Sequence, residues 1–339
     1  VTTGGGNVAV GSAAAFGITT GTYNIAIGKN TLYNNNPSNC VVIGHSAGGW
    51  LNTGANGTVA IGFEALAANT TGSWNTAVGH QALDACTSGA NNNVGVGNSA
   101  LGACTGGDRN TAVGSNALQN NTTAGDNVAV GSLAMAANTT GTNNTAVGSY
   151  ALDANTTGTQ NTAVGYGALS ASTTAGDNTA IGDRAMLTNT TGATNTACGN
   201  AAMRDNTTGS NLAAFGKSAL LLNTTGDYNT ACGKDALRAN TTSDYNTGIG
   251  ADALTAATGT QNTAVGGDAG ASLTTGNYNT FLGMSAGSSQ TTGHDNVYIG
   301  RSCPENDGTN GEVMIYNCLL YTSDAADEGL GVDLGGRRI

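Results

Sequence analysis

Three histidines, His45, His80 and His294, are all that the sequence offers for imidazole chemistry. None has a nucleophile, a carboxylate or a second ligand at the spacing that a triad or a metal site requires, so all three read as structural. The acidic residues are scattered and form no carboxylate pair, which leaves a polysaccharide-degrading β-helix without its machinery. No catalytic, cofactor-binding or metal-binding residue is assigned, and the chain reads as a non-enzyme. The Gly-Asp-Asn triplets at 125–127 and 176–178 lack the dense, repeated aspartates of calcium-binding rolls. Two cysteines, Cys86 and Cys104, hold equivalent places 18 residues apart and are a candidate disulfide, although side chains stacked in parallel tend to sit too far apart at Cβ. Tyr23, Trp74, Tyr228, Tyr245 and Tyr278 also share one place in a recurring phrase. Aromatic rings with a polar tip suit stacking on sugars, which makes these five the candidate glycan contacts; the competing reading has them covering the rim of the core.

That phrase organises the whole chain. Asn-Thr-Ala-Val-Gly, or a close relative, recurs from Asn7 to Gly300 with a mean spacing of 17 residues, and no interval departs from it by more than one. The full unit is Asn-Thr-Ala-Val-Gly-x-x-Ala-Leu-x-Ala-Asn-Thr-Thr-Gly-x-x. A fixed short period is the signature of a solenoid, and the absence of a 3.6-residue pattern excludes a helical one. The expected fold is all-β, a parallel β-solenoid (β-roll) of about 18 rungs of 17 residues, with like residues stacked on like ~4.8 Å apart. Each rung is expected to be a flattened coil of two strands, Thr-Ala-Val and the stretch around Ala-Leu.

Hydropathy suggests the faces. The residue before the anchor glycine is apolar throughout (Val10, Ile27, Ile61, Val113, Val164, with Cys198, Phe215 and Cys232 as variants), and four residues after that glycine comes Leu or Met in most rungs, as at Leu66, Leu118, Met135, Leu169 and Leu237. Both columns are expected to point inward, which would keep Cys198 and Cys232 reduced in the core. Period-two alternation then sends the Ala column (Ala77, Ala112, Ala146, Ala180) outward, where only small side chains would let another copy approach. Asn opens the phrase in 15 of 18 rungs, as a candidate amide ladder. The Asn-Thr-Thr runs at Asn69, Asn121, Asn138, Asn155, Asn189, Asn206, Asn223 and Asn240 are formal glycosylation acceptors, but their common column points to a turn ladder. One such rung cannot hold itself together, so stacking and oligomerisation are expected.

Composition fits a fibre better than a globule. Only 5% of residues are aromatic and 9% charged, while Gly contributes 54. The net charge of −11 with no basic patch argues against nucleic acid, and no apolar run is long enough to span a membrane as a helix.

The repeat resembles the head repeats of trimeric autotransporter adhesins, the YadA-like left-handed parallel β-roll, whose shorter unit centres on Asn-x-Val-Ala-Ile-Gly. It is more similar still to the Asn-Thr-Ala-Val-Gly repeats of phage tail fibres. The resemblance covers residues 7 to 300. It implies a homotrimer outside the cell, on a bacterial surface or outer membrane or on a virion tail, serving attachment to a host-surface glycan or protein receptor. A different class of function is also open, an ice-binding solenoid, because stacked threonines such as Thr76, Thr111, Thr145 and Thr162 form a regular hydroxyl array.

Three segments are expected. Residues 1–300 form the roll. Residues 301–317, which lose the period and carry Pro304, read as an exit or neck. Residues 318–339 share nothing with the repeat and resemble the in-frame translation of a sequencing adapter, an artefactual tail. Just before the exit the Ala column turns to Phe281 and Tyr298 while the Leu column turns to Gly270 and Gly287. These rings are expected to plug the core or to open a threefold axis.

Overall fold

The computed structural model of the chain describes residues 3–33, 36–87, 89–303 and 308–316. The proposed tail at 318–339 and Pro304 lie outside them. The fold is a parallel β-solenoid, with no helix among the described residues. It comprises two compact units, Val1–Leu212 and Ala213–Ile339, built on the same rung. In the first, three-residue strands from Val8–Val10 to Thr196–Cys198 pair in parallel, like on like: Thr145, Ala146 and Val147 face Thr162, Ala163 and Val164. In the second, strands from Ala213–Phe215 to Val313–Ile315 repeat the arrangement.

Each rung has one strand, not the two expected. The Ala-Leu side is a run of turns in which alternate residues are left-handed, as at Tyr150 (φ 59°) and Leu152 (φ 53°). Hydrogen bonds still tie this side to the next rung, for example from Leu152 N–H to the Ala168 carbonyl at 3.0 Å. The left-handed region penalises β-branched side chains, which explains why the inner column from Ala15 to Gly287 uses Leu, Met, Ala and Gly but never Val or Ile.

The two faces of the strand are the reverse of the expectation. Ala77, Ala112, Ala146 and Ala180 are fully buried, whereas Val10 (56% exposed), Val113 and Val147 point outward, together with Ile27, Phe215 and Cys232. Cys198 is half-buried on the same outer column. The interior is so thin that a residue on the strand must be small where Leu or Met reaches across from the turns. The β-branched residues sit outside because they favour a pleated strand, not because the core needs them.

Exceptions to the Ala column support this pairing. Val42 replaces Ala where the Leu column is Gly48, and a Cβ on Gly48 would come within 3.1 Å of Val42 Cγ1. Phe281 replaces Ala where the Leu column is Gly270 and Gly287; a Cβ at either glycine would overlap the Phe281 ring. Phe281 and Tyr298 are fully buried and stack with centroids 5.8 Å apart and an interplanar angle of 5°. Bulk is thus exchanged across one interior, not moved from one face of the roll to another.

Two buried asparagine columns close each coil. Asn144 Nδ2 and Asn155 Nδ2 both donate to the Gly158 carbonyl, at 2.8 and 3.1 Å, pinning the start and end of the rung together. Between rungs, Asn161 N–H donates to Asn144 Oδ1 at 2.9 Å, and Asn155 Nδ2 to Asn138 Oδ1 at 2.8 Å. The second ladder stops where Asn is missing. Ser172 occupies the next place after Asn155, and both Asn155 Oδ1 and Ser172 Oγ are buried without a hydrogen-bond partner. Asn240 Oδ1, followed in its column by Ala257, is left in the same condition. The anchor glycines stack directly: at Gly148 (φ 135°) a Cβ would collide with the carbonyl of Gly165, so no other residue fits.

The segment 301–317, expected to leave the stack, supplies a further strand. Val313, Met314 and Ile315 pair in register with Val297, Tyr298 and Ile299. The rung is nevertheless altered, because Glu312 takes the Asn place and its Oε2 accepts the Tyr298 hydroxyl at 2.7 Å. Burial comes first among the causes that raise the Tyr298 phenol to about 12, so the ring stays neutral inside.

Two outcomes follow from the interior. Phe281→Ala should destabilise the protein by ~3–5 kcal/mol through the cavity it leaves, and Phe281→Ala with Gly287→Leu should recover much of that loss by restoring the usual Ala and Leu pairing; thermal unfolding followed by circular dichroism would show both. Ser172→Asn should stabilise by about 1 kcal/mol by completing the ladder. An unchanged or lowered midpoint would contradict the ladder account.

Candidate functional site

Because the inner columns are nearly invariant, chemistry specific to this chain must lie on the outward positions. The five aromatics expected as glycan contacts are all exposed: Tyr23 (69%), Trp74 (64%), Tyr228, Tyr245 and Tyr278. Each has a left-handed backbone, φ 57° to 60°, which turns the ring out and along the stack. Consequently the rings lean on the preceding rung: Tyr23 lies over Gly6 and Trp74 over Gly57. Tyr228 and Tyr245 stack on each other at 4.9 Å with an interplanar angle of 3°. Tyr278 is separated from Tyr245 by Gln261, and Tyr23 from Trp74 by Asn39 and Gly57, so the five make no continuous stripe.

Other aromatic groupings were missed by reading one column at a time. His45, Phe63 and His80 form a stack, with centroids 5.4 and 5.2 Å apart, and Phe16 stacks on Tyr33 at 5.5 Å. Both groups arise from the residues flanking the inner Ala-Leu pair, where successive rungs happen to carry rings. His45 and His80 therefore pack with Phe63, while His294 Nδ1 accepts the Asn277 N–H at 3.0 Å. Among the described residues no group of three or more His, Cys, Asp and Glu is placed to hold a metal ion. Asp126, in one of the Gly-Asp-Asn triplets, is engaged by Arg109 in a two-pronged ion pair of 2.6 and 2.8 Å, and that hydrogen bond holds its carboxyl below the usual range.

Cys86 and Cys104 occupy the second Asn column and are both buried as free thiols. The hydrogen bond to Cys104, followed by burial, pushes the Cys86 thiol up, so it stays protonated and unreactive. The eight Asn-Thr-Thr asparagines are fully buried, with their amides committed to ladders and to turn carbonyls, as at Asn138 to Gly141 (3.0 Å). The folded chain cannot present them for glycosylation.

On the outer face of the strands, in each unit, a Val/Ile column and a Thr/Val column run side by side. Val147, Ile181, Ile249 and Leu282 are 37–46% exposed there. No family model matches the chain, and no curated protein matches it significantly.

Native-state alkylation with peptide mapping should leave Cys86 and Cys104 unmodified until the protein unfolds, with each recovered as a thiol under non-reducing conditions. Recovery of a linked Cys86–Cys104 peptide would show that the column closes to bonding distance.

Proposed function

We propose that this chain is the shaft or head of an extracellular attachment fibre, assembled from three copies and carrying receptor-binding groups on its turns. The observation that carries this reading is the uncovered outer strand face. Its apolar columns are uncharged and repeat with every rung, and a partner that matches such a face along its length must have the same repeat. A further copy of the chain meets that requirement, whereas an unrelated globular protein would match only locally. The interior supports the same reading by a second route. A core of one Ala and one Leu per rung gains ~1.5–3 kcal/mol for a fully buried Leu against ~1–2 kcal/mol of backbone entropy for every ordered residue, so burial of the outer Val and Ile side chains between copies adds needed stability. The surface for self-association is thus the Val/Ile face and not the Ala face.

Ice binding is the second reading, favoured by one observation: Thr145, Thr162, Thr179 and Thr196 point to the outer face in register. The Val column beside them is equally regular. A thermal-hysteresis measurement separates the two, since an attachment fibre gives none.

Light scattering should give three times the chain mass. Val147→Lys with Val164→Lys should weaken assembly while keeping the β-type circular dichroism, whereas Ala146→Glu should abolish folding. Cys232, on the outer face, should resist alkylation in the assembly and react once it is dissociated. A folded monomer with freely reactive Cys232 would sink the three-copy fibre.

A further inference from the structure

Between the turns of the second, third and fourth rungs lies a cavity of about 410 Å³, lined by Asn30, Tyr33, Ser46, Gly49, Trp50, Glu64 and Ala67. It lies wholly within the first unit, and its lining repeats two columns of the turn: Asn30, Ser46 and Glu64 stand two residues after the anchor glycines Gly28, Gly44 and Gly62, and Tyr33, Gly49 and Ala67 five residues after them. Tyr33 and Trp50 bring two rings beside that row of outward polar residues, at places where most rungs carry no aromatic residue. The volume falls within the ~300–1,000 Å³ of small-molecule sites.

We propose that this cavity binds a neutral hexopyranose unit of a glycan, with Trp50 and Tyr33 as its apolar wall and Asn30, Ser46 and Glu64 as its hydroxyl-binding groups. The idea rests on the attachment reading for its biological role and supplies that reading with a ligand class. A pyranose has an apolar C–H face and a rim of hydroxyls, so it needs a ring to cover the first and paired donors and acceptors for the second. Both are present and held. Tyr33 is fixed by stacking on Phe16 at an interplanar angle of 13°, while Trp50 remains 59% exposed. The Glu64 carboxylate is steadied by Gln81 Nε2 at 2.9 Å on Oε2, and the Ser46 hydroxyl lies 3.3 Å from His45 Nδ1. The Asn30 side chain makes no hydrogen bond to the described residues, so its amide has both a donor and an acceptor to offer. No cation lines the cavity, and with a net charge of −11 on the chain a sialylated or sulfated sugar is disfavoured. A quaternary ammonium ion would favour Trp50 and Glu64 but would leave Asn30 and Ser46 without a role.

The chain has two tryptophans, so the full-length Trp74→Phe variant makes Trp50 fluorescence a direct reporter. Methyl glycosides of glucose, galactose and N-acetylglucosamine would be titrated, with 3′-sialyllactose and phosphocholine as contrasting probes. At least one neutral glycoside should give a saturable emission change. Saturation-transfer NMR should show that binding lost in Trp50→Ala and weakened at least tenfold in Glu64→Gln, both with unchanged circular dichroism. Trp50→Phe, which keeps a ring, should retain part of the affinity and covers the case in which Trp50→Ala disturbs the fold. No saturable response to any neutral glycoside, preference for sialyllactose or phosphocholine, or undiminished binding by Glu64→Gln would overturn the proposal. Adhesion of wild type and Trp50→Ala to glycan-coated and cell surfaces separates the two levels. Equal adhesion by both would remove the pocket and leave the attachment reading standing, whereas sugar binding in solution without any adhesion would do the reverse.

Discussion

A coil of seventeen residues must double back within an interior that is a single layer of side chains thick, and the other features of the rung answer that constraint. The strand can present only Ala to the inside, because Leu or Met fills the space from the opposite turn. The turn can aim that Leu inward only by adopting a left-handed backbone, which bars β-branched residues there. The anchor glycine follows from the same tightness, since its backbone lies on the carbonyl of the glycine one rung on. Val and Ile are left to the outside of the strand.

A thin interior also means that buried polar groups lie close to every backbone carbonyl that must be satisfied. The two asparagine columns turn this into cohesion: one amide closes the coil on itself and bonds to its neighbour along the stack. The benefit depends on continuity. A single Ser or Ala in the column leaves an oxygen on the preceding Asn without a partner, a cost of ~1–3 kcal/mol for a buried acceptor. Such a ladder favours long unbroken runs of one residue type, and this accounts for the monotony of the sequence.

Much of the architecture was legible from spacing alone. The period, the parallel in-register pairing and the buried Asn-Thr-Thr ladder follow from a repeat that varies by one residue at most. The faces were not legible from hydropathy, because Val and Ile were credited to a core when they are there for strand geometry. The correcting signal was nonetheless present in the sequence. Val42 appears with Gly48, and Phe281 with Gly270 and Gly287, a size exchange that makes sense only if the Ala and Leu columns face each other. The missing second strand was hidden for a different reason, since alternating left-handed residues leave no hydropathy trace in a stretch such as Ala-Leu. The cavity at Tyr33 and Trp50 was not legible in the repeat because the two rings stand at places where the consensus has only x and Ala.

The division between a fixed interior and a free exterior bears on how such a protein acquires function. Outward turn positions hold Tyr, Trp, Arg, Asp, Asn or Gln at the same left-handed φ, so the fold imposes little on them beyond tolerance of that conformation. Binding groups can therefore be placed rung by rung without disturbing the core. On the proposed assembly of three copies, the recess at Trp50 would be carried once per copy and would gain avidity without a new contact wherever the receptor groups are dense enough to engage more than one.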